Sequence, residues 1–445
     1  MEKTTVRCRI IRKLMMLGVL VAGLSTPAAE LWAQTEAMQL QEVSLDPVRL
    51  EDFIREASES NPEILAAKNR WEAARRQIVQ AWSLPDPVAG IDVMGEMTET
   101  RVGPQDNRMM VSQEIPFPLK LWKRRQAAKE NAAAAYEEYR AVEREVRYRL
   151  QSAFYGLYEA DTSIRVIQDI HDVLKKAEGT AQSLYAKGEG SQRDAAKAQV
   201  ETSMTLEQLY ELQVRQESFA AEINMLLNRD PLERFGAPVK PEKPELGKTM
   251  PELVRLAEEN REEILRARAL VRKGKAGKAL ARMENIPDLQ AGFSYTWVGS
   301  GMTEDPEDGK NSWMFPLAVN IPLWQPRVIA MIQEAENELR AAMADEQSAE
   351  NQAAYEIRAA FARYSAASRI TTLYETAIIP QAEVALRSDQ AGYEAGKTDF
   401  LNLLDSERVY LNANLGYAKI YTEMLRGFAE LQRVSGFGRT EGDGL

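Results

Sequence analysis

At 445 residues, with 67 acidic against 56 basic side chains and a formal net charge of −11, the chain is too acidic to be a general binder of nucleic acid. One cysteine and one histidine exclude a disulfide framework, a thiolate metal centre and, without several added carboxylates, a structural zinc site. The length would allow two or three globular domains, but an internal duplication argues for two halves of one body.

The first residues read as an export signal. Lys3, Arg7, Arg9, Arg12 and Lys13 precede the apolar run Leu14 to Leu24, whose eleven residues are too few to span a bilayer as a helix. Cleavage is expected after Ala33, with Ala28 and Ala29 as competing sites. Cys8 precedes the apolar run and leaves with the signal, so it is not the lipidated first residue of a mature chain. The signal (1–33) carries a net +3, which leaves the mature protein cysteine-free at −14.

The first copy, assigned to residues 47–234, has a helix beginning at Asn61-Pro62-Glu63-Ile64-Leu65. Two alternating strands follow, one with Ile91, Val93 and Met97, the other with Met109, Val111 and Ile115, joined by a loop from Thr98 to Asn107. Between Pro118 and Pro231 lie 112 residues without proline, rich in helix formers. A helix predicted from Trp122 to Lys187 would be about 100 Å long at 1.5 Å per residue. Val142, Val146, Leu150, Phe154, Leu157, Ile164, Ile167, Leu174 and Leu184 form one apolar stripe on it, as in coiled-coil packing. Gly188 marks a reversal, and a helix returns through Met204, Leu206, Leu209 and Leu212.

After a linker at 235–248, the second copy (249–435) repeats this order, ahead of a tail at 436–445. Asn260-Arg261-Glu262-Glu263-Ile264-Leu265 answers the first opening at an offset of 199. Leu289, Ala291, Phe293, Tyr295 and Trp297 line one strand, and Trp313, Phe315, Leu317, Val319 and Ile321 a second, with a polar loop from Gly299 to Lys310 between them. Val319-Asn320-Ile321-Pro322 matches Gln113-Glu114-Ile115-Pro116 at 206, so the second copy has gained about seven residues in that loop. A helix is predicted from Arg327 to Ala395 with a kink at Pro380, then a reversal at Gly396 and a return through Leu401, Leu403, Leu404, Tyr410 and Leu411. Tyr185-Ala186-Lys187-Gly188 matches Tyr393-Glu394-Ala395-Gly396 at 208.

Strands of nine to eleven residues with one apolar face suit a transmembrane β-barrel, although a buried soluble hairpin would look similar. Five of the six mature tryptophans (Trp82, Trp122, Trp297, Trp313, Trp324) fall at or near strand ends, as an aromatic girdle would; the other reading is core or hinge packing. The export signal favours the barrel, with Phe293, Tyr295, Trp297, Trp313, Phe315 and Leu317 facing lipid. Four strands cannot close a barrel, and open edges are not tolerated in lipid, so several chains must share one.

Over about Leu50 to Gly436 the chain resembles the TolC family of bacterial outer-membrane efflux proteins. The resemblance rests on the duplicated opening, the Ile-Pro exit from each hairpin, Ile379-Pro380-Gln381-Ala382 and the stretch from Tyr393 to Asp405. It implies a mainly α fold with a small β part: a trimer whose twelve-stranded outer-membrane barrel continues into a periplasmic α-helical barrel. It further implies a passive exit duct, not an enzyme and without cofactor, working with a periplasmic adaptor and an inner-membrane RND pump. Lys187, Gly188 and Glu189 in the first copy, and Ala395, Gly396 and Lys397 in the second, match the tips that meet the adaptor. Lys187 and Ala395 stand where the family often has valine. Asp405 matches an acid that narrows the tunnel entrance, Asn402 stands where a second acid can occur, and Asp399 lies one turn before. The alternative for Asp405 is a solvated turn residue near a helix start. The hairpin exits look closest to the CzcC/CusC-like heavy-metal branch, while drug efflux and type I protein secretion use the same duct. A reading from another class is an exported coiled-coil scaffold or adaptor that never enters the membrane.

His171 reads as a surface or groove residue on a helix. The run Arg272 to Lys278 lacks P-loop spacing and reads as a solvated helix face. Lys120, Lys123, Arg124 and Arg125 sit either by inner-leaflet headgroups or on a plain solvated face.

Overall fold

A computed structural model describes residues 46–437 apart from 189, 301–303, 305 and 396. The expected signal with its cleavage at Ala33, the end of the tail, and the tip residues Glu189 and Gly396 lie outside the described residues, as does the side chain of Met97. The first copy consists of α1 (Leu50–Ser60), α2 (Pro62–Trp82), β1 (Val88–Thr100), β2 (Gly103–Ile115), α3 (Pro118–Ala186) and α4 (Gln192–Leu227). The second consists of α5 (Met250–Asn260), α6 (Glu262–Met283), β3 (Leu289–Val298), β4 (Ser312–Met314), β5 (Leu317–Val319), α7 (Gln325–Leu373), α8 (Ile379–Glu394) and α9 (Phe400–Ser435). A π-helical turn, Tyr374–Ile378, joins α7 to α8.

Each copy opens on two helices rather than the one expected, broken by an extended residue. At the first break Asn61 accepts the N–H groups of Glu63 and Ile64 at 2.9 and 3.1 Å, an N-cap contributing about 1 kcal/mol, with Pro62 preset for the first turn. The counterpart of Asn61 is Arg261, not Asn260: both are extended, and their N–H groups return to Ala57 and Ala257. The true offset is therefore 200, one more than the sequence match gave. It becomes 207 at the starts of α3 and α7 and 208 at the starts of α4 and α9.

The helices begin slightly earlier than predicted, with Pro118 and Pro326 as favourable residues in the first turns of α3 and α7. At 69 residues α3 is about 100 Å long. Seven of its nine stripe residues, from Val146 to Leu174, are buried. The main core gathers Leu150, Phe154 and Leu157 of α3, Ile223 and Leu226 of α4, Ile357 and Tyr364 of α7 and Met424 and Leu425 of α9, so both copies share it. Short α1 and α5 cap it with Phe53 and Leu253, and Phe53 packs edge-on to Phe154 and Phe235 at 6.1 and 5.3 Å. The linker lies over the second copy, where Pro241 and Pro244 carbonyls accept from Tyr421 and Tyr364 at 2.7 and 2.9 Å. The kink expected at Pro380 is preceded by the π turn: without an N–H, proline cannot continue the i to i−4 ladder, and the backbone widens ahead of it.

The strands form one antiparallel sheet in the order β1-β2-β3-β4, with β5 also paired to β3. The loop expected from Thr98 to Asn107 is instead strand, and the hairpin turns at Arg101-Val102. Gly103 at φ 114° makes this tight reversal possible, and Thr100 Oγ1 donates to its carbonyl at 2.6 Å. The last strand, expected to be continuous from Trp313 to Ile321, is broken into β4 and β5 because Pro316 lacks a ladder donor. Its carbonyl still accepts from Gly292 N–H at 2.9 Å, which keeps the broken strand alongside β3.

Candidate functional site

Antiparallel pairing sets which residues share a face of the sheet. Ile91 lies opposite Met109, Met109 opposite Tyr295, and Tyr295 opposite Trp313. One rung along, Ala89, Val111 and Phe293 are aligned, and nearer the helices Leu289 faces Val319 and Ala291 faces Leu317. These rungs make one apolar band across all the strands, joined by ring contacts of Phe293 with Phe315 at 5.1 Å and Trp313 with Phe315 at 5.4 Å. Leu317 is 73% exposed and Val93 76%. The other face carries Asp92, Arg108, Thr296 and Ser312 on a single rung, with Arg108 Nε donating to Thr296 at 3.3 Å. All six sequence-predicted strand residues, Phe293, Tyr295, Trp297, Trp313, Phe315 and Leu317, fall on the apolar face. The five tryptophans are exposed in two groups: Trp297 and Trp313 on the sheet, and Trp82, Trp122 and Trp324 where helices meet it.

At that junction Lys120 corrects the headgroup expectation. It is 1% exposed, and its Nζ donates to Asp288 at 2.8 Å with Glu284 at 3.9 Å. Asp288 also accepts Phe117 N–H at 2.8 Å. Burial alone would raise the Asp288 pKa, but the hydrogen bonds and charge from Lys120 and Phe117 N–H outweigh it and hold the carboxyl below its ordinary range. Lys123 and Arg125 lie over the Trp122 and Trp82 rings at 4.3 and 5.6 Å. The Arg272 to Lys278 run is likewise not merely solvated: Arg272 pairs with Glu130 of α3 at 2.6 Å and Lys278 with Glu336 of α7 at 3.1 Å.

The far end of the helices holds the two reversals. Lys187 caps α3, Gly188 takes φ 75°, and Gly190 N–H returns to the Leu184 carbonyl at 3.1 Å. In the second copy Ala395 caps α8 and Lys397 N–H returns to Gly392 at 2.8 Å. Lys187, Gly188, Ala395, Lys397 and Asp399 are all exposed, with Asp399 at the N-cap of α9. Asn402 and Asp405 are exposed on the first turns of α9 rather than in a turn. Asp405 lines a groove of about 580 Å³ between α4 and α9, together with Arg193, Lys197, Glu201, Leu401 and Arg408. Arg408 of α9 pairs there with Glu201 of α4. The sequence reading missed these four charged partners, although the repeat register holds a clue: Lys197 and Asp405 are counterparts at a shift of 208. His171 sits on the seam of α3 and α4, its Nδ1 2.8 Å from Thr205 Oγ1. That hydroxyl gives its proton to the Thr202 carbonyl, so His171 is the donor.

None of the described helices is long and apolar enough to cross a membrane. The model of the outer membrane efflux protein family matches residues 53–229 and 253–436, one match per copy. The chain is 23% identical over 436 residues to the cobalt-zinc-cadmium resistance protein CzcC of Cupriavidus metallidurans, covering 96% of this chain and 99% of that one. Its fold is similar to that of CusC, with a TM-score of 0.75 at 14% identity over 88% of this chain and 93% of the other. The CmeC outer membrane channel of Campylobacter jejuni gives a TM-score of 0.75 at 15% identity, covering 87% and 85%. The protein belongs to the outer membrane efflux protein family, as an exit duct in the outer membrane with a large periplasmic helical part.

Proposed function

We propose that three copies close their sheets into one twelve-stranded barrel and their long helices into a periplasmic tunnel, and that this homotrimer passively conducts cargo delivered by an adaptor and an inner-membrane RND pump. The observation that carries the reading is the apolar band on a sheet with two open edges, β1 and β4/β5. Lipid would cover the band, and neighbouring copies the edges, because an unpaired edge in hydrocarbon leaves backbone groups without partners. Phe293, Tyr295, Trp297, Trp313, Phe315 and Leu317 are then the lipid-facing residues. Lys187, Gly188, Glu189, Ala395, Gly396 and Lys397 are the adaptor-contacting tips, and Asp399, Asn402 and Asp405 the tunnel entrance. Residues 1–33 direct export and are removed. Likeness to a cobalt-zinc-cadmium resistance protein along nearly the whole chain favours heavy-metal cations as cargo over drugs or secreted protein.

Native mass spectrometry of protein extracted from washed outer membranes in mild detergent tests the assembly. A trimer is expected; a water-soluble monomer or dimer would overturn the shared barrel. Zinc, cobalt and cadmium tolerance in a strain lacking this chain tests the cargo, and unchanged tolerance with lowered drug or protein export would refute the metal assignment.

A further inference from the structure

One carboxyl in the helical part is left unsatisfied by the fold. Glu407 of α9 is 4% exposed, and its Oε2 has no hydrogen-bond partner. Burial pushes its pKa up to about 7, with no neighbouring charge contributing. Charged and titratable groups near it on α3, α4, α8 and α9 have other partners. Glu201 of α4 pairs with Arg408, His171 of α3 donates to Thr205, and Asp389 of α8 accepts from Ser406. An isolated buried carboxylate is costly unless something pairs with it.

Glu407 lines a cavity of about 400 Å³ between α3, α4 and α9. Ile170, Leu174, Met204 and Leu411 give it apolar walls, Gln208 and Asn412 are neutral polar groups, and Glu201 and Arg408, which pair with each other, line it as well. A volume of several hundred cubic ångströms with apolar walls, a few polar groups and one charge left unpaired has the make-up of a small-molecule site. We propose that this cavity binds a small organic cation, an amine with an apolar body, whose ammonium pairs with Glu407 while the body rests on Ile170, Leu174 and Leu411. A metal ion fits less well. Only one carboxylate is uncommitted, and among the described residues no three His, Cys, Asp or Glu side chains come together to hold one. A neutral guest would leave the carboxylate unpaired. The ammonium replaces the proton on Glu407, so binding releases that proton and strengthens with pH. Across a pKa of about 7 the ionised fraction, and with it the affinity, rises about tenfold from pH 6 to pH 8.

Calorimetric titration of the full mature chain in nonionic detergent tests this, with tryptamine as the probe and tryptophol as its neutral counterpart. Expected are one saturable tryptamine site per chain, about tenfold tighter at pH 8 than at pH 6, and tryptophol binding at least about tenfold weaker. Glu407→Gln, nearly isosteric, should lose at least about tenfold in affinity. Leu411→Trp fills the cavity while leaving the carboxyl in place, and should abolish binding. Tryptamine binding of equal strength in Glu407→Gln, equal binding of tryptophol, or no saturable binding at millimolar concentration would each overturn the proposal.

Discussion

Replacing Asp288 by alanine should be among the most damaging single changes outside the core. Lys120 is 1% exposed and the Asp288 side chain 11%, so neither charge is screened by water. Removing the acid strands a buried ammonium, which costs about 3 to 5 kcal/mol. Glu284, already 3.9 Å from Nζ, offers a substitute partner and places the expected loss near the lower end. The loss would fall where Phe117, the start of α3 and the start of β3 meet, because Asp288 also holds Phe117 N–H and faces Asn320. Chemical unfolding in detergent, followed by circular dichroism, measures the difference. The double variant Lys120→Met, Asp288→Ala removes both charges and should recover most of the stability. The pH dependence has a definite sign. The folded carboxyl titrates below its unfolded value of about 3.9, so the contribution is fully present above that pH and is lost as pH falls through the folded value. A loss under about 1 kcal/mol in Asp288→Ala, or a double variant no more stable than the single, would refute the assignment of Lys120 as a buried, pair-dependent charge.

Depth in the sheet should grade the effect of charge on the apolar band. Phe293→Arg, at mid-strand, should cost about 2 to 4 kcal/mol and impair assembly, whereas Leu317→Arg, near the helical end, should cost only about 0 to 1 kcal/mol; equal trimer yield from both variants would contradict the lipid-facing assignment. In planar bilayers Asp405→Ala should lower the preference for cations and Lys197→Ala should raise it, since the two line one groove; reversal potentials unchanged in both would remove the groove from the conduction path. Breaking the Glu201–Arg408 pair by Arg408→Ala should change stability by no more than about 1 kcal/mol, because the Arg408 side chain is 56% exposed; a larger loss in chemical unfolding would mark the pair as a structural tie. Gly188→Ala should cost about 1 kcal/mol from its φ of 75°, with no steric clash because no atom lies within 4 Å of the added carbon, and hydrogen exchange at the tip reads it directly.

The parts of the fold legible in the sequence are those written in local periods. Phe293, Tyr295 and Trp297 announce their face by alternation, and Leu150, Phe154 and Leu157 theirs by helical spacing, because side-chain direction follows from backbone geometry alone. Pro316 shows where such reading weakens: alternation continues through it from Trp313 to Ile321, yet the missing donor divides the strand. The contacts that define the candidate site are of another kind. Lys120 meets Asp288 across 168 residues and Glu201 meets Arg408 across 207, and each depends on how the two copies close on one another. The duplication itself narrows the choice. Helices α4 and α9 both have 36 residues, start 208 apart and end in left-handed Asn228 and Gly436, so equivalent positions stand at equal heights above the tip. A perfect duplicate would set like charges across the groove at each height. Lys197 opposite Asp405 breaks that likeness, replacing repulsion by attraction, whereas Glu201 and Arg408, whose counterparts are the neutral Val409 and Val200, pair one residue out of that register. Charge divergence between repeat counterparts is thus the sequence signal for the groove, and it is readable only once the register of 208 is known. Glu407 also has a neutral counterpart, Gln199, but unlike Glu201 it meets no opposing charge from the other copy.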